Sequence, residues 1–149
     1  MMKEGGIAMN YNIERFVQAQ EYDYTEALNE IQNGRKESHW MWYIFPQLKQ
    51  LGRSSVAQYY GIENLEEAAE YLAHPILGVR LREISEALLL LENNDPYQVM
   101  GGIDGMKLRS SMTLFAEVAG YDSVFGKVLD KYFEGKKDEH TLRLLESGK

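Results

Sequence analysis

Apolar residues recur at every third or fourth position along this chain, and this spacing constrains the fold more than any other feature. The clearest stretch places Leu77, Leu81, Ile84, Leu88 and Leu91 along one stripe. Such spacing predicts an amphipathic helix, because one helical turn contains about 3.6 residues. No segment alternates polar and apolar residues over a length that would indicate a β-strand. We therefore predict an all-α protein.

Capping residues, glycines and three prolines divide this pattern into short segments. We predict about seven to nine short helices in a single compact domain over residues 11–149, not a regular bundle of long helices. Residues 1–10 are expected to form a flexible N-terminus. The predicted helical segments are 13–20, 24–33, a helix ending near 44, one ending at 61, 68–73, 75–93, a turn after 95, 105–119, 123–133 and 138–146.

The caps of these helices are also predicted from residue type. Asn12, Asn64 and Asp104 each precede a helical pattern, and Asn64 begins a capping box that Glu67 completes. Pro46 disfavours helical backbone at the residue before it, so the helix preceding it should end near Ile44.

Composition narrows the classes of function. The chain has 149 residues, which suits one domain with its own core. It carries 23 acidic and 16 basic residues, a net charge of −7, which argues against nucleic-acid binding because such proteins need a basic face. There is no cysteine, which excludes disulfides, thiolate metal ligands and a cysteine nucleophile.

The histidines, His39, His74 and His140, lie far apart without a metal-binding spacing, so no metal site and no cofactor are predicted. The N-terminus has no apolar stretch typical of a signal peptide, and the longest apolar run, 87–91, is too short to span a membrane. We therefore expect a cytoplasmic protein without a membrane partner.

Residues 40–45, here called the aromatic segment, include Trp40, Trp42, Tyr43 and Phe45. These rings could stack a flat ligand, or they could simply fill the core. We favour the core for most of them, with one tryptophan face at most open to a cleft. His39 lies just before the segment and is the candidate acid–base residue, although the more ordinary role of a lone histidine is to pack against or cap the helix start.

A second cluster combines cations and hydroxyls on one predicted helix, at Lys107, Arg109, Ser110, Ser111 and Thr113. Such groups could bind a phosphate or a carboxylate. They could also form a solvated or interhelical polar face, since Ser110 falls away from the apolar stripe of that helix. The glycine-rich loop of a nucleotide-binding P-loop is absent.

Four segments carry a resemblance to a known family: residues 15–20, 34–47, 71–81 and 104–115. Together they resemble the bacterial domain of unknown function family 1810, whose members are often mislabelled calpastatin and are similar to a small helical mycobacterial protein of unknown function. The match runs in order over nearly the whole chain. The resemblance implies a single, mostly helical bacterial domain, and it implies no activity, cofactor or catalytic residue.

Two functions follow from these patterns. The first is a domain that binds a small anionic ligand, phosphate- or nucleotide-like, between the aromatic segment and the cationic helix; whether it catalyses a reaction is left open. The second is a non-catalytic interaction module acting as a homodimer, because the ten tyrosines and seven methionines are residue types that interfaces favour. The candidate ligand-binding residues are Lys36, His39, Trp42, Gln47, Arg53, Lys107, Arg109, Ser110 and Ser111.

Overall fold

The centre of the fold is a helix whose middle part is buried on every side. The computed structural model describes residues 11–147, so the flexible N-terminus predicted at 1–10 lies outside the described residues. Residues 110–116 of the central helix are all buried, because four other helices pack around it. The predicted all-α class is confirmed.

Nine α-helices occur within residues 11–147, together with a 3₁₀ turn at Lys49–Leu51. The only β-type pairing in this range is a single bridge between Leu48 and Ile62. The helices are α1 (Glu14–Gln32), α2 (Met41–Ile44), α3 (Ser55–Tyr59), α4 (Leu65–Ala73), α5 (Leu77–Leu90), α6 (Pro96–Met100), α7 (Gly102–Ala119), α8 (Val124–Phe133) and α9 (Glu139–Ser147).

Helix α7 is the central element, and α4, α6, α8 and α9 pack against it. Helix α5 lies against α1, α4 and α8, and α2 rests on α1. Within residues 11–147, no helix combines the length and the apolar character that crossing a membrane requires.

The prediction of two helices before residue 34 was wrong, because α1 is continuous from Glu14 to Gln32. The stretch 21–23 contains neither glycine nor proline, and the buried face formed by Phe16 and Gln20 continues through Tyr24 and Ala27. The prediction that Asn12 caps this helix was also wrong, since the residue before α1 is Ile13 and no side chain caps α1.

Other caps follow the sequence closely. The side chain of Asn64 accepts a hydrogen bond of 2.9 Å from the backbone N–H of Glu67, and α2 ends at Ile44. The prediction that Asp104 caps α7 was wrong, because α7 begins at Gly102 and Asp104 lies inside its first turn. A carboxylate is favourable there because the helix dipole is positive at its N-terminus.

Glu30 fixes the approach to the aromatic segment. Its carboxylate accepts hydrogen bonds from the backbone N–H groups of Glu37 and Ser38, from the Ser38 hydroxyl at 2.6 Å and from the Trp40 indole N–H at 2.9 Å. Burial alone would raise the pKa of Glu30, but these four hydrogen bonds outweigh it and lower the pKa from 4.5 to about 2. The end of α1 therefore holds the chain that leads into α2.

This low pKa predicts a pH dependence of stability. A carboxyl whose pKa is lower in the folded protein stabilises it above the unfolded pKa of 4.5, and loses that contribution as pH falls through about 2. Glu30→Gln should therefore cost about 1–2 kcal/mol at neutral pH, because charge-assisted hydrogen bonds are lost from a site that water partly screens. Urea denaturation of both proteins between pH 7 and pH 2 should show the difference shrinking below pH 4.5. A difference that does not change with pH would contradict this role.

Candidate functional site

A shallow groove lies where α7, α9 and the chain after the aromatic segment meet. We call it the basic groove, and it has a volume of about 270 Å³. Lys107 and Arg109 from α7 line it, together with the side chain of Gln47. The remaining lining residues are Leu51, Ile103, Met106, Ser110, Asp138 and His140.

The two cations of the basic groove are only loosely paired. Lys107 Nζ lies 3.9 Å from Asp104 Oδ1, and Arg109 Nη2 lies 3.8 Å from Asp138 Oδ1. Both distances exceed the 2.7–3.2 Å of an ordinary N–H···O hydrogen bond. About a third of each cationic side chain is exposed, 28% for Lys107 and 36% for Arg109. Both groups therefore keep donors available for an anion.

Asp138 is held in place by α7 and α9 together. Its Oδ2 accepts hydrogen bonds from the Ser110 hydroxyl at 2.9 Å and from the Thr141 backbone N–H at 3.2 Å. Its own backbone N–H donates to the Thr113 hydroxyl at 2.9 Å. The carboxylate thus caps α9 while the hydroxyls of α7 fix its position. Ser110 donates its proton to Asp138 and can offer a ligand only its oxygen.

Asp104 connects α7 to the aromatic segment. Lys36 Nζ lies 2.9 Å from Asp104 Oδ2 and 4.7 Å from the centre of the Trp40 ring, a cation–π distance. Lys107, on the other side of the same carboxylate, lies 5.7 Å from the centre of the Trp42 ring. Each tryptophan therefore has one lysine over its ring, and Asp104 lies between the two lysines.

The aromatic segment contributes mainly to the core. Trp40 and Phe45 are each 1% exposed, and the partly buried Tyr43 packs against the core. Three of the four rings therefore belong to the core, as predicted, and Trp42 is partly buried at its edge. Trp42, Gln47 and Lys107 do border a narrow crevice, but its volume of about 10 Å³ barely accommodates one water molecule. A ligand at Trp42 would therefore have to lie outside this crevice.

The structure separates the remaining predicted residues from the basic groove. Lys36 is almost fully buried by its contacts with Asp104 and Trp40. His39 and Arg53 are exposed and do not line the groove. Ser111 is buried inside α7, and its hydroxyl has no hydrogen-bond partner among residues 11–147. Of the predicted set, the groove brings together Gln47, Lys107, Arg109 and Ser110.

Sequence reasoning missed five residues of the groove: Leu51, Ile103, Met106, Asp138 and His140. The pairing of Asp104 with Lys107 could have been predicted, because the two residues are three positions apart and such pairs meet on a helix surface. No sequence pattern predicts that Asp138 and His140 line the groove, since nothing in the sequence indicates that α9 lies beside α7. Within residues 11–147, no three His, Asp or Glu side chains come close enough together to hold a metal ion.

Comparison with known proteins agrees with this fold. Residues 10–145 match the model of a family described as a protein of unknown function, DUF1810, and the chain belongs to this family. It is similar to the conserved hypothetical protein Rv1873 from Mycobacterium tuberculosis, whose crystal structure was determined at 1.38 Å. The two chains are 42% identical and superpose with a TM-score of 0.87, covering 91% of this chain and 97% of Rv1873. Among the curated proteins, none matches.

Proposed function

We propose that the protein binds a small organic anion in the basic groove. The observation that supports this proposal is the position of Lys107 and Arg109, which stand two residues apart on α7 and face one groove with loosely bound partners. Two cations with free donors suit the oxygens of a phosphate monoester or a carboxylate. The side-chain amide of Gln47 adds a neutral donor beside them.

The apolar residues of the groove indicate what else the ligand carries. Ile103 and Met106 are 73% and 62% exposed, and both line the groove beside the cations. An alkyl or aryl body attached to the anion would cover them and remove apolar surface from water. The volume of about 270 Å³ lies just below the usual range for ligand sites, about 300–1,000 Å³. We therefore favour a ligand no larger than a nucleoside monophosphate.

A comparison of charged and neutral probes tests the proposal. AMP and phenyl phosphate should raise the melting temperature progressively as their concentration increases, whereas adenosine and phenol should not. Lys107→Ala and Arg109→Ala should each weaken binding about tenfold, because each removes a charge-assisted hydrogen bond. The measurement is a thermal-shift screen followed by titration calorimetry.

Lys127→Ala is a matched control, because Lys127 is an exposed cation on α8 that does not line the groove. It should leave the affinity for AMP and phenyl phosphate unchanged. Equal loss of binding in the Lys127, Lys107 and Arg109 variants would show only a nonspecific response to charge. Binding that persists in the Lys107→Ala, Arg109→Ala double variant would exclude the basic groove as the site.

The alternative is an interaction module that forms a homodimer. The exposed side chains of Tyr97, Ile103 and Met106 near the start of α7 favour it, because such residues are enriched at interfaces. Light scattering over a range of concentrations separates the two functions. A mass that doubles with concentration in the native protein, and that stays monomeric in Ile103→Ser, would support the dimer. A constant monomeric mass would rule it out.

A further inference from the structure

A second groove, larger than the first, opens between α9 and the start of α4. We call it the leucine groove, and its volume is about 590 Å³. Five leucines and four glutamates are among its lining residues, and no lysine or arginine within residues 11–147 lines it. It shares no lining residue with the basic groove. Its size falls in the range typical of sites for small organic ligands.

The apolar surface of this groove comes largely from α9. Leu142 and Leu145 recur at the spacing of one helix face. Both are only partly buried, because α9 packs on α7 and leaves this face lining the groove. Leu48 contributes a fully packed surface to the same groove. The site therefore offers an apolar contact surface to the body of an organic ligand.

The polar part of the groove has a single sign of charge. Its carboxylates come from three separate helices, with Glu66 on α4, Glu117 on α7 and Glu146 on α9. Glu66 accepts a hydrogen bond of 2.9 Å from the Tyr11 hydroxyl, and Glu117 accepts one of 2.5 Å from the Tyr121 hydroxyl. These donors are neutral, so they do not themselves offset the negative charge of the carboxylates.

One glutamate of the groove does have a cationic neighbour. Glu63 Oε1 lies 3.8 Å from Lys49 Nζ, and both side chains are well exposed, which makes the pair weak. Among residues 11–147, no other groove glutamate has a cation within 4.0 Å. Apolar contact combined with unbalanced negative charge is complementary to an organic cation.

We propose that the leucine groove binds an apolar ammonium compound, a primary amine attached to an alkyl or aryl body. The body lies against Leu142 and Leu145, and the ammonium lies among the oxygens of Glu66, Glu117 and Glu146. Binding at this groove does not depend on the basic groove, which selects the opposite charge.

Three amphiphiles of equal length test this proposal: octylamine, octanoate and octanol, at neutral pH. Titration of the ¹⁵N-labelled protein by NMR should show octylamine binding at least about tenfold more tightly than octanoate, because Coulomb attraction and repulsion separate the two. The shifted amide signals should belong to α9 and to residues 63–66. The preference should decrease as salt is added, because the carboxylates lie near water.

The double variant Glu66→Gln, Glu146→Gln removes two of the four groove carboxylates and should markedly reduce the preference for the amine over the carboxylate. The control is Glu86→Gln, Glu92→Gln, which removes the same net charge from exposed positions outside the groove and should preserve the preference. Equal affinity of the native protein for all three amphiphiles would overturn the proposal. Amide shifts confined to other helices would overturn it as well, and so would binding of a basic amphipathic peptide but not of octylamine.

Discussion

Glu67→Ala is expected to lower the free energy of unfolding by about 3–5 kcal/mol, because it leaves a buried arginine without its counter-charge. Arg15 Nη1 lies 2.9 Å from Glu67 Oε2, and the two side chains are only 8% and 2% exposed. The guanidinium also donates to the backbone carbonyls of Tyr59 at 2.7 Å and Gly61 at 2.9 Å. Arg15 therefore joins α1 to the loop between α3 and α4. Urea denaturation at neutral pH measures the loss.

Glu63→Ala is the matched control, since Glu63 pairs with Lys49 at 3.8 Å on the surface. Removing an exposed partner at that distance should change stability by less than about 0.5 kcal/mol. The double variant Arg15→Met, Glu67→Leu should lose less than the sum of the two single variants, because no isolated buried charge remains. Equal costs for Glu67→Ala and Glu63→Ala would contradict this account of the buried pair.

Trp40→Ala is expected to cost about 3–5 kcal/mol, because it empties a large volume of the core. The ring is 1% exposed and packs 6.2 Å, centre to centre, from Phe45. The substitution also removes the indole N–H that donates to Glu30. The midpoint and slope of a urea unfolding curve measure the effect.

Trp42→Ala serves as the comparison within the same segment. Trp42 is partly buried, and its polar contact is the looser one with Lys107 at 5.7 Å. Its replacement should cost less than about 2 kcal/mol, in the range of ordinary substitutions away from the core. If Trp42→Ala destabilises the protein as much as Trp40→Ala, the division of the aromatic segment into core and surface is wrong.

The helical class of this protein was predictable because its signals are local. Apolar spacing, the Asn64 cap and the Pro46 stop act within a few residues, and each agrees with the structure. The boundary errors arose where local rules were incomplete. A break in the helix was expected after Gln20, but no glycine or proline lies there. The buried face is continuous across this position, so α1 continues to Gln32.

The candidate site was predictable only in part, because most of its residues come together through contacts between distant parts of the chain. Lys107 and Arg109 could be found together because one helix carries both. The partners that complete the groove depend on how distant helices pack: α9 meets α7 through Asp138, Ser110 and Thr113. The packing of α9 on α7 depends on contacts between residues more than twenty positions apart, and the pattern of a single sequence does not predict such contacts.

The unequal settings of the two tryptophans make them distinct optical reporters. The indole of Trp40 is shielded from water and bound to a carboxylate, so its emission follows the integrity of the core. The indole of Trp42 lies under Lys107, one of the two cations of the basic groove, so its emission follows the position of that ammonium group. Replacing either tryptophan by phenylalanine leaves a protein with a single tryptophan, whose emission can be followed without any attached label.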